Sequence, residues 1–223
     1  EPLGTDGYLF DYPNQAVEDR FQVDASGAVV PQQTETGWDL VGLLPGSDPE
    51  RADEYVVLVA HYDHLGVDAE GRPYNGAFDD ASGVVAALEI ARVLHEHEAS
   101  PPRSIVVLIT DDEEAGLVGS ESWLDAPTVP LGDVVGAISI DPVGRPLLPD
   151  YWPIVAIGLE RSPRLQALWR EVAVASELPV IFLNRDIVPV FASDQDEFYV
   201  APVPRPAAWF VNPGFSFYHT VDD

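Results

Sequence analysis

The chain has 223 residues, 46% hydrophobic and 22% charged, which fits one globular α/β domain and excludes a disordered chain. Thirty-eight acidic residues face 11 basic ones, all arginine, for a net charge of −27; this sets the surface against nucleic acid and against anionic membranes. With no cysteine there is no disulfide and no thiolate metal site, so any metal must rest on His, Asp and Glu, and no apolar run nears the roughly 18–20 residues of a membrane span. The acid excess is open to three readings: solubility, adaptation to high salt, where screening relieves self-repulsion, and genome composition.

Residues 1–37 read as an irregular N-terminal segment with one short strand near Ala28–Val30, and 38–223 as a single domain. "WDLVGLLPGSDP" reads as a strand ended by a Pro-Gly turn. The apolar run Val56–Ala60 leads straight into His61, as in a strand buried on both faces. A helix is predicted to open at Ser82 as N-cap, with Val84, Val85, Leu88, Ala91, Val93 and Leu94 near helical spacing. After the Pro101-Pro102 break come a strand over Ser104–Thr110, a short helix in "GLVGSESWLDA" and strands over Val134–Asp141 and Pro153–Leu159. An amphipathic helix over 162–178 carries Leu165, Leu168, Trp169 and Val172, and a late strand runs from Ala207 to Asn212. Strands alternating with helices predict an α/β fold: a mostly parallel, doubly wound sheet with helices on both faces.

Acidic and imidazole side chains recur at one edge of that sheet. His61 and Asp63 follow one strand, Asp111 to Glu114 follow the next, and Asp141 ends a third; Asp79 and His219 lie on loops. Open α/β sheets bind ligands at the carboxyl ends of their strands, so a metal site is expected there. Carboxylates converging at such an edge must be neutralised by protons or cations, and a His/Asp/Glu set suits zinc, manganese or cobalt. Two divalent ions carry four positive charges, which three carboxylates and one hydroxide offset, so the charge count favours two ions if one carboxylate bridges.

Taken in order, "AHYDHLG", "YNGAFDDASGV", "DDEEAGLVGS", "SIDPVGR", "SDQDEF" and "YHTVDD" resemble the motifs of the co-catalytic di-zinc aminopeptidase family, over roughly residues 38–223. The lead-in "WDLVGLLPGSDP" is similar to that of its bacterial secreted members. The resemblance implies a zinc-dependent metallo-aminopeptidase that cleaves the N-terminal bond of peptides by way of a metal-bridging water, in a metallopeptidase domain over 38–223, secreted or periplasmic. It implies His61, Asp79, Glu114, Asp141 and His219 as ligands of two zinc ions, Asp79 bridging, and Glu113 as general base. Asp63 would orient His61, and Tyr218 would hydrogen-bond the oxyanion. Ser193 and Asp194 match a loop near the site.

Departures from the pattern are Phe78, Asp80, Pro142 and Gln195. Asp80, an extra acid beside the bridging position, is expected to strengthen metal binding or shift the bridging water's pKa. His64 reads as a loop residue, His95 and His97 as a solvated helix end, and Asp111 and Asp112 as solvent-facing neighbours of the active pair. Asp222 and Asp223 read equally as partners of His219 or as a frayed end. Alternatives on the same scaffold are a carboxypeptidase, which needs a basic pocket such as Arg145 or Arg185 offers, and a glutaminyl cyclase, which His61 argues against. A non-catalytic receptor-like domain is the alternative of another class.

Overall fold

The computed structural model describes residues 1–2, 9–13, 21–23, 29–31, 36–96, 100–146, 148–187, 192–213 and 217–223. Eight strands form one sheet in the order β1-β4-β6-β5-β7-β10-β8-β9. Its centre is the parallel set β6 (Ser104–Thr110), β5 (Tyr55–His61), β7 (Val134–Ile140) and β10 (Ala207–Val211). On one side β4 (Thr36–Leu44) runs antiparallel to β6. On the other, β8 (Ile154–Ile157) runs antiparallel to β10 and carries β9 (Val180–Leu183) parallel to itself. The sheet is thus mixed, with the expected parallel winding kept in the centre and reversed strands toward both edges.

Alternation along the central strands sorts the core into two layers. Val57 and Val59 of β5 and Val106 and Leu108 of β6 face α2 (Val118–Asp125) and α4 (Gln195–Val200), packing with Trp123 and Phe198. Leu58, Ala60, Ile105, Val107 and Ile109 face α1 (Ala81–Glu96), against Val84, Ala87, Ala91 and Leu94. Leu165 and Trp169 of α3 (Pro163–Ala175) cover Ala208 and Phe210 on that same side. Helices therefore lie on both faces. Val85, Leu88 and Val93 of α1 and Leu168 and Val172 of α3, which belong to the apolar helical patterns, are exposed. An apolar groove of about 590 Å³ runs between these two helices.

The N-terminal segment departs from its irregular reading. β1 (Leu9–Pro13) pairs antiparallel with β4, Leu9 opposite Leu40 and Pro13 opposite Thr36, while β2 (Phe21–Val23) and β3 (Val29–Pro31) pair with each other. The expected strand near Ala28–Val30 is β3; Ala28 lies outside the described residues. What makes β1 a strand is the open edge of β4, a partner distant in sequence that no local pattern announces. β9 and α4, four and six residues long, also escape periodicity. β8 stops at Ile157, short of the expected Leu159, because Gly158 takes φ 87 and turns the chain. His95 is exposed, and His97 lies outside the described residues.

Helix α1 begins at Ala81, and Asp80, not Ser82, caps it. The Gly83 N–H donates to Asp80 Oδ1 at 2.9 Å, whereas Ser82 Oγ donates to the Phe78 carbonyl at 2.6 Å. The Asp79–Asp80 peptide is cis. Gly83 is required by the approach of α1 to β7, since a Cβ there would lie 1.9 Å from the Ile140 carbonyl oxygen. That oxygen is backbone and cannot swing aside. Gly83→Ala is expected to destabilise the fold by about 3 kcal/mol in urea unfolding, while Gly132→Ala, where a Cβ meets nothing within 4 Å, changes stability little.

Candidate metal centre

The register of the parallel strands sets the site. His61 ends β5 opposite Thr110, the last residue of β6, and Val59 lies opposite Ser139, so His61 and Asp141 leave the sheet at one level. Asp111 to Glu114 leave β6 beside them. The Asp79 loop enters from the N-terminus of α1 and His219 from the C-terminal segment.

Asp79 stands at the centre. Its Oδ1 lies 3.1 Å from His61 Nε2 and its Oδ2 3.1 Å from His219 Nε2. Asp141 Oδ1 is 3.4 Å from His61 Nε2, and Glu114 Oε2 is 3.2 Å from His219 Nε2. Each oxygen of one buried carboxylate thus addresses a different imidazole, each of which has a further carboxylate. Glu113 Oε2 reaches to 4.0 Å of His61 Nε2. His61, Glu113 and Asp141 form one group whose possible ligand atoms lie within 4.8 Å of one another, and His64, Asp79 and Glu114 form another.

His64 is a correction, because it is not a bystander of the loop. Its Nδ1 lies 2.8 Å from Glu114 Oε1, and its ring meets those of Tyr74 and His219 edge-on. The bond fixes one oxygen of Glu114 and leaves the other toward His219. The spacing His61-x-x-His64 just after a strand was the available signal.

Several acids hold backbone N–H groups instead. Asp63 accepts from Glu113 N–H at 3.0 Å with Oδ1 and from Glu114 N–H at 3.2 Å with Oδ2, while its carbonyl lies 3.2 Å from His61 Nδ1. It fixes the acidic pair as well as the histidine. Asp80 Oδ2 accepts from His61 N–H at 3.3 Å and Oδ1 caps α1, so its oxygens serve the backbone and it joins neither ligand group. Asp223 Oδ1 accepts from the N–H groups of Phe78, at 2.7 Å, and Asp79, at 3.3 Å; it holds the Asp79 loop rather than His219. Asp112 is buried with φ 58, contrary to its solvent-facing reading. Tyr218 stacks on the His219 ring at 3.8 Å. Ser193 shares a hydrogen bond with Ser139 at 2.8 Å, and Asp194 accepts from Thr110 Oγ1 at 2.7 Å beneath the site.

Ionisation follows from this crowding. Burial pushes Glu113 well above the usual carboxylate range; His61 counters it in part, and Asp141, Asp194 and Glu114 add to it. Burial also lifts Asp194 to about 6, and it raises the Tyr218 phenol, aided by Asp79 and Glu114. Burial works against a charged His219, yet Asp79 and Glu114 carry it up to about 9. Burial opposes the ionised form of Asp79 too, but His219 and His61 hold it below the ordinary range.

A divalent metal fits these residues. Asp79 Oδ2 and His219 Nε2 are buried and lie 3.1 Å apart, yet neither has a hydrogen-bond partner among the described residues. An imidazole nitrogen and a carboxylate oxygen converging in this way, with no sulfur, match the donor set of zinc once the histidine has given up its proton.

A divalent-metal centre at the carboxyl edge of a mixed α/β sheet defines the class. Within it, the chain belongs to Peptidase family M28, whose family model matches residues 39–223. Leucine aminopeptidase 1 of Coccidioides posadasii is 32% identical over 120 residues, 52% of this chain and 30% of that protein. A probable glutamate carboxypeptidase of Zea mays is 34% identical over 90 residues, 39% of this chain and 11% of that protein. The chain thus spans less than a third of the length of these curated relatives. In fold it is similar to a zinc aminopeptidase of Bacillus subtilis, with TM-score 0.67 and 23% identity over 87% of this chain and 46% of that one. It is also similar to a leucine aminopeptidase precursor of Bacteroides thetaiotaomicron, with TM-score 0.66 and 19% identity over 96% of this chain and 74% of that one.

Two measurements follow. Asp223→Ala frees the N–H groups that place Asp79 and is expected to weaken zinc binding about tenfold or more in competition with a chelator; Asp223→Asn, which keeps an acceptor, loses less. Asp39 is fully buried, and its Oδ1 accepts from Asp111 N–H at 2.9 Å. Burial raises its pKa from 3.8 to about 8. Between these values the folded chain keeps a proton the unfolded chain has lost, so this group makes stability fall as pH rises. Asp39→Asn removes that term: its stability relative to the parent, from urea unfolding at pH 5, 6 and 7, is expected to rise with pH by up to about 1.4 kcal/mol per unit.

Proposed function

We propose that this chain is a zinc-dependent aminopeptidase that hydrolyses the N-terminal bond of peptides with two zinc ions. The observation that carries this reading is the Asp79 carboxylate, whose two oxygens each lie 3.1 Å from a different histidine. His61 and Asp141 would hold one ion, Glu114 and His219 the other, and Asp79 both. Residues 38–223 act as one metallopeptidase domain, with β1 completing its sheet. Export to the periplasm or the medium belongs to the same reading, supported by the resemblance of the lead-in "WDLVGLLPGSDP" to that of secreted bacterial members of the family.

Bound zinc supplies Lewis acidity, polarising the scissile carbonyl and acidifying water. The chain's own residues do the rest. Glu113, held by Asp63 through its N–H at 3.0 Å, accepts a proton from the attacking water and returns it to the leaving amine. Its burial raises its proton affinity, which helps it to accept that proton. Tyr218, kept protonated by burial, donates to the developing oxyanion. His64 fixes Glu114 through the 2.8 Å contact.

Glu113→Gln is expected to lower kcat by about 10²–10⁴ with zinc content unchanged. Loss of zinc with activity retained would exchange the roles of Glu113 and Glu114. Metal analysis of Asp79→Ala should show a greater loss of zinc than His61→Ala or His219→Ala. One ion kept in Asp79→Ala, with none in either histidine variant, would remove the bridge.

A further inference from the structure

The loop after β7 carries a cation in an unusual setting. The guanidinium carbon of Arg145 lies 4.3 Å from the ring centre of Phe217 and 5.2 Å from that of Phe78. Phe78 precedes Asp79, and Phe217 lies two residues before His219. The guanidinium therefore lies between the Asp79 loop and the C-terminal segment, against chain neighbours of Asp79 and His219. The loop is pinned there: Val143 N–H donates to Ser82 Oγ at 2.9 Å and Gly144 N–H to Asn212 Oδ1 at 2.6 Å.

Arg51, Arg72, Arg92, Arg103, Arg161 and Arg185 each lie within 4.0 Å of a carboxylate. Arg145, in a chain with 38 acids, has no ion pair and no hydrogen bond among the described residues, and is instead set against two aromatic rings. Ring contacts engage the flat faces of a guanidinium and leave its in-plane N–H donors, a fork that matches a carboxylate. Phe217 is 41% exposed, so a ligand has access from solvent. Arg185, the other arginine considered for a basic pocket, is engaged by Asp196, whose Oδ1 and Oδ2 lie 3.0 and 3.2 Å from its Nε.

We propose that Arg145 binds a carboxylate of the substrate, so that the preferred substrates are short peptides with a free carboxylate near the cleaved bond. This rests on the peptidase reading. The carboxylate is either the peptide's own C-terminus or an acidic side chain, and the two sources are separable. On an otherwise acidic surface a local cation is needed to admit such a substrate, because the net charge of −27 repels it.

The test uses the zinc-loaded chain and matched peptide pairs. Leu-Ala against Leu-Ala-amide reads the terminal carboxylate. Glu-Ala-amide against Gln-Ala-amide, and Leu-Glu-amide against Leu-Gln-amide, read an acidic side chain. The quantity is the ratio of kcat/KM within each pair; it is internal to one preparation, so loss of folded enzyme cancels. At least one ratio is expected to exceed about tenfold in the parent chain, chiefly through KM, to fall toward one in Arg145→Gln, to recover in part in Arg145→Lys and to persist in Arg185→Gln. Ratios near one for every pair in the parent, or a preference that survives both Arg145 changes, overturn the proposal. If the parent cleaves none of these peptides, the peptidase reading fails separately, and the same pairs are compared by calorimetric binding. A carboxylate preference that depends on Arg145 then upholds the anion site, and equal binding of each pair overturns it.

Discussion

A single carboxylate sharing its two oxygens between two imidazoles is the constraint on which the site depends. Asp79 lies at the edge of a sheet where Glu113, Glu114 and Asp141 also arrive, in surroundings that penalise every uncompensated charge. The acids divide into two sets. Asp39, Asp63, Asp80 and Asp223 accept backbone N–H groups, and so are tied to the chain itself. Asp79, Glu114 and Asp141 face imidazole nitrogen. The first set fixes the loops that carry the second. Asp63, Asp80 and Asp223 thereby help to hold four like-charged groups within reach of one another.

Backbone geometry makes this packing possible. Parallel strands β6, β5 and β7 end at the same level, so three segments deliver their first loop residues to one place. The helices must then come close. Gly83 lets the start of α1 sit against the Ile140 carbonyl, and at Gly119 a Cβ would fall 2.4 Å from the Asp111 carbonyl oxygen. Each glycine thus brings a helix against the strand ends at the point where the acidic loops emerge. Trp209 closes the far side by donating to the Asp141 carbonyl.

Much of this was legible in the sequence because it is local. Buried strands ending in His61, Thr110 and Asp141 announce themselves as apolar runs meeting charged residues, and the motif order singles out His61, Asp79, Glu114, Asp141 and His219 as candidate ligands. What was not legible is what depends on distant partners. His64 reads as a loop histidine until Glu114, 50 residues on, is placed beside it. Asp223 reads equally as a partner of His219 or as a frayed end until its oxygen is found on the Phe78 and Asp79 N–H groups. Asp80 reads as an extra acid beside the bridging position until its bonds to Gly83 and His61 N–H are seen. β1 is a strand because β4 offers it an edge. In each case the residue type was informative and its partner was not.

The acidic surface and the acidic site are different electrostatic problems. Arg72 with Glu70 and Arg92 with Glu89 form pairs at exposed positions, where such pairs contribute only about 0–1 kcal/mol and weaken with salt. Eleven arginines could not neutralise 38 acids in any arrangement, so the surface relies on screening, which acts over about 10 Å at 0.1 M salt and over about 3 Å at 1 M. The buried edge is shielded from that solution. Mobile ions that relieve repulsion around Glu89 or Glu96 do not enter between Asp79 and Glu114, so high salt cannot substitute for a bound cation there. Whichever origin the surface acidity has, the charge at the strand ends must be met locally, by protons on buried acids, by imidazolium or by metal. The directions of the shifts at Glu113, His219 and Asp79 follow from that requirement. A metal that displaces the protons from His61 and His219 supplies by coordination what the protonated histidines otherwise supply by charge.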